Sequence, residues 1–223
     1  MKFITLVLGA ALALGLFGFV QHRSGAAAAA AAAAPERSAQ FRNIMDLSAA
    51  RRRTGAPLTT RITAPAQFIQ GAWKVDDIPP QRLVGALVVL DVRAKAAGNS
   101  SCAVSIDDID HWERIHGEIP PYAIVVALTG RLTPGNRGNF AAYSSDSIHF
   151  LADGRHALAL GTDAAAITTI QADREALARA GAYELSGVSN LGLSPESGAI
   201  LLVAPAITGG ASEGEARLLA LLR

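Results

Sequence analysis

Five histidines, one cysteine and 19 acidic residues are the side chains in this 223-residue chain with metal or nucleophilic chemistry in reach. Their spacing supports little of it. His111 and His116 stand five apart in a helical pattern, so their directions differ by roughly 140°. Two ligands on one helix need i,i+4 spacing, and these two read instead as solvated or half-buried side chains. His149 and His156 fall on successive elements and are expected to point apart, while His22 flanks an apolar leader. Asp107, Asp108 and Asp110 crowd a predicted helix start, where the helix dipole accounts for them. Asp163 follows a predicted strand end, a place where α/β domains bind ligands; its simpler reading is a loop-capping carboxylate. The single cysteine, Cys102, excludes an intrachain disulfide and any Cys-based zinc site. "TGGASEG" precedes a predicted last helix and could cradle an anion there, although a plain glycine turn before the helix is the preferred reading. No P-loop and no base-stacking aromatic pattern is present.

Charge and composition narrow the classes further. Lys plus Arg number 20, which leaves a net charge of +1. That balance gives no footprint for nucleic acid. The run Arg51-Arg52-Arg53 is the one local basic cluster and reads as a solvated loop. Half of the residues are apolar, which excludes a disordered chain. The length suits one domain with a sizeable core.

Strand and helix signals alternate from about Phe41 to Arg223. "GALVVLDV", "YAIVVALTG", "HALALGTD" and "GAILLVAP" are short apolar runs that read as buried strands. "SIDDIDHWERIHG" reads as a helix. Ser105 and Asp108 fit a capping box there, Ile106, Ile109 and Trp112 form its apolar stripe, and Gly117 fits a C-terminal glycine. "SSDSIHFLADG", "ADREALARAG" and "SEGEARLLALL" are the other predicted helices. The interleaving predicts an α/β domain over 41–223, a sheet core flanked by helices.

Residues 1–34 read as an address rather than as fold. Lys2 is followed by an uninterrupted apolar stretch, Phe3 to Val20, and then by an alanine run ending at Ala34. This is the pattern of a secretory signal with an Ala-rich linker, which predicts an exported, periplasmic or extracellular domain. The stretch 3–20 is long for a signal, and an uncleaved inner-membrane anchor is the alternative.

The segment "PLTTRITAPAQF", Pro57 to Phe68, has the frame of a metal-binding loop with no His, Cys, Asp or Glu in it. Together with "VDDIPPQRLVGALVVLDVRAKA", "DIDHWERIHGEIPPYAIVVALTGR", "IHFLADGRHALALGTDAAAI" and "GVSNLGLSPESGAILLVAPAITGGASEGEAR", it resembles the cyclase family of metal-dependent hydrolases. That family includes bacterial kynurenine formamidase and isatin hydrolase. The resemblance implies a cyclase-type α/β fold, a homo-oligomer, and a zinc or manganese site fed by a loop of the form HxGTHxDxPxH. With Ala64, Pro65 and Phe68 set on that frame, the first histidine falls on Pro57, the second on Arg61, the aspartate on Thr63 and the last histidine on Gln67. A downstream histidine falls on Asp173 or Arg174, and a glutamate on Ser186. "MDLSA" carries Ala49 where another histidine would stand.

None of the four loop substitutes suits a divalent ion. Proline has no donor atom, arginine is always charged, and threonine and glutamine offer neutral oxygens only. The expectation is therefore a cyclase-family protein without metal or other cofactor, a catalytically inactive homologue whose vestigial site is Pro57, Arg61, Thr63, Gln67, Asp173, Arg174 and Ser186. The alternative is an active arylformamidase-like hydrolase of small amides such as N-formylkynurenine.

Overall fold

The computed structural model describes residues 41–49, 59–98, 102–130 and 141–222. The leader, Arg51–Arg53 and Pro57 lie outside the described residues. From Arg42 onward the described residues form one unit.

Its strands are β1 (Asn43–Asp46), β2 (Arg61–Thr63), β3 (Val84–Asp91), β4 (Ile124–Leu128), β5 (Ala159–Thr162), β6 (Tyr183–Ser186), β7 (Ala199–Pro205) and β8 (Glu213–Leu222). β3, β4, β5 and β6 are parallel neighbours in that order. Their apolar runs are continuous because both faces are covered. Along β3 and β4 alternate residues face opposite ways. Leu87, Val89, Ile124 and Val126 enter one buried cluster, and Val88, Leu90, Val125 and Ala127 enter the other.

Antiparallel strands complete the sheet and close it. β2 lies beside β6, and β7 lies beside β3. β8 joins them, pairing with β7 along 216–221 and with β2 along 213–215. β1 takes the remaining length of β8, from Leu219 to Leu222. The result is a barrel whose interior is the first apolar cluster. Closure removes the open edges that a sheet of this size would otherwise present.

Helices cover the outside over the second cluster. They are α1 (Arg93–Gly98), α2 (Ile106–His116), α3 (Ser145–His149, continued by a π turn to Gly154) and α4 (Gln171–Arg179). α2 has the predicted ends. Asp108 accepts from the Ser105 backbone N–H at 2.8 Å, and Gly117 turns the chain at φ 87°. Ile109 and Trp112 are its buried stripe.

The predicted last helix is a strand. "SEGEARLLALL" is built from good helix formers, yet it forms β8, with Ala216, Leu218 and Ala220 turned into the barrel. Hydrogen bonding to β7, β2 and β1 outweighs a propensity difference of tenths of a kcal/mol per residue. The anion cradle that "TGGASEG" could have formed has no helix behind it and falls with that helix. Two consequences test the strand. Leu218→Ala, at a fully buried position, should cost about 2–5 kcal/mol in urea unfolding. Arg217→Ala, one residue away in an exposed pair with Asp46, should cost less than about 1 kcal/mol.

Candidate functional site

β2 puts the loop residues where they stand. Ile62 points into the barrel and is fully buried, which turns Arg61 and Thr63 to the outer face. Pairing then decides their neighbours. Arg61 lies opposite Ser186 on β6 and Glu215 on β8, and Thr63 lies opposite Glu184 and Glu213. Residues directly opposite share a face. Two carboxylates therefore flank Thr63 on the outer wall.

Both carboxylates are engaged. Glu213 accepts from Arg61 Nη2 at 3.2 Å and from Thr63 Oγ1 at 3.2 Å. Glu184 takes a two-pronged contact from Arg174 on α4, Nε to Oε1 at 3.0 Å and Nη2 to Oε2 at 2.6 Å. The Arg174 guanidinium also lies 4.7 Å from the centre of the Phe68 ring. Stacking presents its edge to the carboxylate, the geometry in which arginine binds most strongly. Gln67 is exposed and accepts from the Ser212 hydroxyl.

The two pairs differ in weight. Arg61 and Glu213 are both nearly half exposed, which places their contact at about 0–1 kcal/mol. The Glu184 side chain is 6% exposed. Removing one member of such a buried pair costs about 3–5 kcal/mol. Burial raises the Glu184 carboxyl above its ordinary range, with Arg174 opposing the rise and Glu213 adding to it. Its bond to Glu184 keeps Arg174 firmly cationic.

Of the two residues that could stand for the downstream histidine, Arg174 faces this cluster and Asp173 does not. Asp173 is buried and accepts from Ser145 Oγ at 2.7 Å, with Thr168 Oγ1 at 3.5 Å. Ser186 lies beside Arg61, and Glu184 occupies the inner position beside Thr63. Sequence reasoning missed Glu184 and Glu213. Only the strand register brings them out: once β6 is known as a strand, 184 shares a face with 186.

The frame residues have structural duties. Thr60 donates to Gly187 O at 2.8 Å and accepts from the Ala49 backbone N–H at 2.7 Å. Ala64 is fully buried, and its N–H donates to Ser212 O at 2.8 Å. Pro65 starts the 3-10 turn Pro65–Gln67, where its fixed φ suits the first position.

The other candidates resolve into local contacts. Asp163 is buried and caps a loop, accepting from the Thr129 N–H and hydroxyl at 2.9 and 2.6 Å and from the Gly130 N–H at 2.7 Å. His116 contacts Glu196 and Ser197, and His111 contacts Arg114. His149 stands near Asp153, and Cys102 is buried and unbridged.

The family model described as "Putative cyclase" matches residues 26–168, well over half of the chain. The chain belongs to the cyclase family. Solved cyclase-type structures share its fold. Isatin hydrolase A from Ralstonia solanacearum is 21% identical with a TM-score of 0.72, covering 81% of this chain and 92% of that one. Isatin hydrolase A from Labrenzia aggregata bound to benzyl benzoate is 24% identical with a TM-score of 0.65, covering 81% and 82%. A structure described as a potential metal-dependent hydrolase with cyclase activity is 21% identical with a TM-score of 0.65, covering 81% and 98%. A search of curated protein sequences gives no match.

The cyclase family's zinc or manganese does not fit the residues described here. Among the described residues no three His, Cys, Asp or Glu side chains cluster as a metal would need. The two carboxylates are held by guanidiniums, and the four charges of Arg61, Arg174, Glu184 and Glu213 sum to zero. A divalent ion ~4 Å from one guanidinium meets roughly 8 kcal/mol of repulsion at an effective dielectric of ~20.

The raised Glu184 carboxyl makes a pH prediction. A raised acid binds its proton more readily in the folded chain than in the unfolded one. Its stability contribution is therefore full below the ordinary value of 4.5 and is lost as pH rises through the folded value. Glu184→Gln should be less stable than the parent throughout, with a deficit that shrinks as pH rises above 4.5. Asp91 and Glu113, lowered by hydrogen bonds from Arg93 and Arg155, lose stability toward acid equally in both proteins and cancel. Urea midpoints from pH 4 to 7 read the difference.

Proposed function

We propose that this chain is a catalytically inactive cyclase-family protein in which two arginine–glutamate pairs stand where relatives hold a metal. The observation that carries the reading is the two-pronged contact between Arg174 and the buried Glu184. A hydrolase of this type needs a metal to generate hydroxide near neutral pH and to polarise the carbonyl. Arg61, Thr63, Gln67 and Arg174 supply no imidazole and no free carboxylate for one. Folds and activities part company readily. Residues 1–34 would carry the domain out of the cytoplasm, and its retained role would be to bind rather than to hydrolyse.

The full chain, dialysed against zinc and against manganese, should retain far less than one ion per chain. It should leave N-formylkynurenine at its uncatalysed rate. Stoichiometric metal with turnover abolished by a chelator would establish the alternative, an arylformamidase-like hydrolase. Restoration is the sharper experiment. Pro57→His, Arg61→His, Thr63→Asp and Gln67→His together should recover weak metal binding. Adding Arg174→His, which frees Glu184, should tighten it by at least about tenfold, since a repelling charge is removed and a ligand gained.

A further inference from the structure

One cavity shares no lining residue with the arginine–glutamate cluster. Its wall is made by Arg82, Tyr122, Ala152, Asp153, His156 and Ala180, and its volume is about 330 Å³. The fold explains its composition. Arg82, Tyr122, His156 and Ala180 each stand just before a parallel strand, β3, β4, β5 and β6 in turn. Four neighbouring strands thus bring four loop ends to one rim.

Arg82 is the unusual member. Arg93, Arg155 and Arg174 each meet a carboxylate. Among the described residues Arg82 meets none. It is held instead by neutral groups. Nη2 donates to Gly181 O at 2.9 Å, and the guanidinium lies 5.2 Å from the centre of the Trp73 ring. Its Nε is buried without an acceptor. A half-buried cation with no anion is costly, and here it forms the wall of a cavity.

The rim is also held in uncommon backbone. His156 has φ 52° and Tyr122 φ 63°. The left-handed region is tolerated by histidine but is an outlier for a bulky residue such as tyrosine. Tyr122 reaches it because Gly85 admits its carbonyl. A Cβ on Gly85 would lie 2.8 Å from Tyr122 O. Such backbone persists where the surroundings impose it, and it concentrates at ligand sites.

We infer that this cavity is a binding site for a small carboxylate. Arg82 supplies the positive charge, and the His156 imidazole and the Tyr122 hydroxyl are further donors on the same wall. Asp153 also lines it, and repels a second negative charge while accepting from a ligand hydroxyl. A monoanionic hydroxycarboxylate therefore suits the wall better than phosphate does. The volume lies in the lower part of the range for small-molecule pockets.

Lactate and inorganic phosphate are the probes, added to the full chain at low ionic strength and followed by NMR. Lactate should produce saturable shifts at His156 and at the Arg82 side chain in the millimolar range, with phosphate weaker. Arg82→Met should weaken lactate by about tenfold or more. His156→Gln, which leaves the Arg82–Gly181 contact in place, should weaken it several-fold, and Arg217→Ala, in an exposed pair on β8, should leave it unchanged. Absence of saturation up to tens of millimolar would overturn the site, as would parent-like binding by both Arg82→Met and His156→Gln. Phosphate binding tighter than lactate would overturn the choice of a carboxylate. Because Arg174 and Glu184 take no part, the outcome is independent of whether the chain hydrolyses anything.

Discussion

Glu184 is a carboxylate built into the middle of a barrel wall, and it cannot sit there alone. A buried carboxylate either takes a proton or takes a cation. In this chain the cation is Arg174, brought down by α4 and laid on Phe68. The arrangement depends on three separate pairings. β6 carries the acid, β2 brings the loop that ends in Phe68, and β8 closes the barrel and adds Glu213 on the far side of Thr63. The cyclase frame thus comes together around an internal ion pair.

That arrangement separates two kinds of residue that a motif runs together. Thr60, Ala64 and Pro65 are needed by the fold. They tie β2 to Gly187, fill the wall beside β8 and start the turn toward Phe68. Arg61, Thr63 and Gln67 are not needed by the fold in the same way, since they face outward and touch Glu213 and Ser212. A loop can therefore keep its outline and change its chemistry. Arginine at position 174 has a further effect, because it engages the buried Glu184 carboxylate as the partner of a guanidinium.

Much of this was legible in the sequence, and the gaps have physical causes. β3, β4 and β7 could be read because their apolar runs are buried on both faces or on alternate ones. The ends of α2 could be read because capping is local chemistry. β8 could not. Its residues favour a helix, and the partners that make it a strand are β1, β2 and β7, far off in the chain. The three residues of β2 and four of β6 are too short to show a period. Barrel closure was invisible for the same reason, and so were Glu184 and Glu213, whose meeting around Thr63 is a matter of register alone. The loop expected to carry the site forms β2, where Arg61 lies opposite Ser186 and Thr63 opposite Glu184.

A double-mutant cycle on Arg174 and Glu184 tests the central claim most directly. Arg174→Met and Glu184→Leu would be made singly and together, and unfolding free energies measured in urea at pH 7. With the pair organising the wall, each single change leaves a buried charge or a broken contact and costs about 3–5 kcal/mol. The double change restores an apolar seam and should recover most of that loss, giving a coupling energy of about 2 kcal/mol or more. Single losses below about 1 kcal/mol that simply add would contradict it, and would make the contact between Arg174 and Glu184 incidental to the barrel.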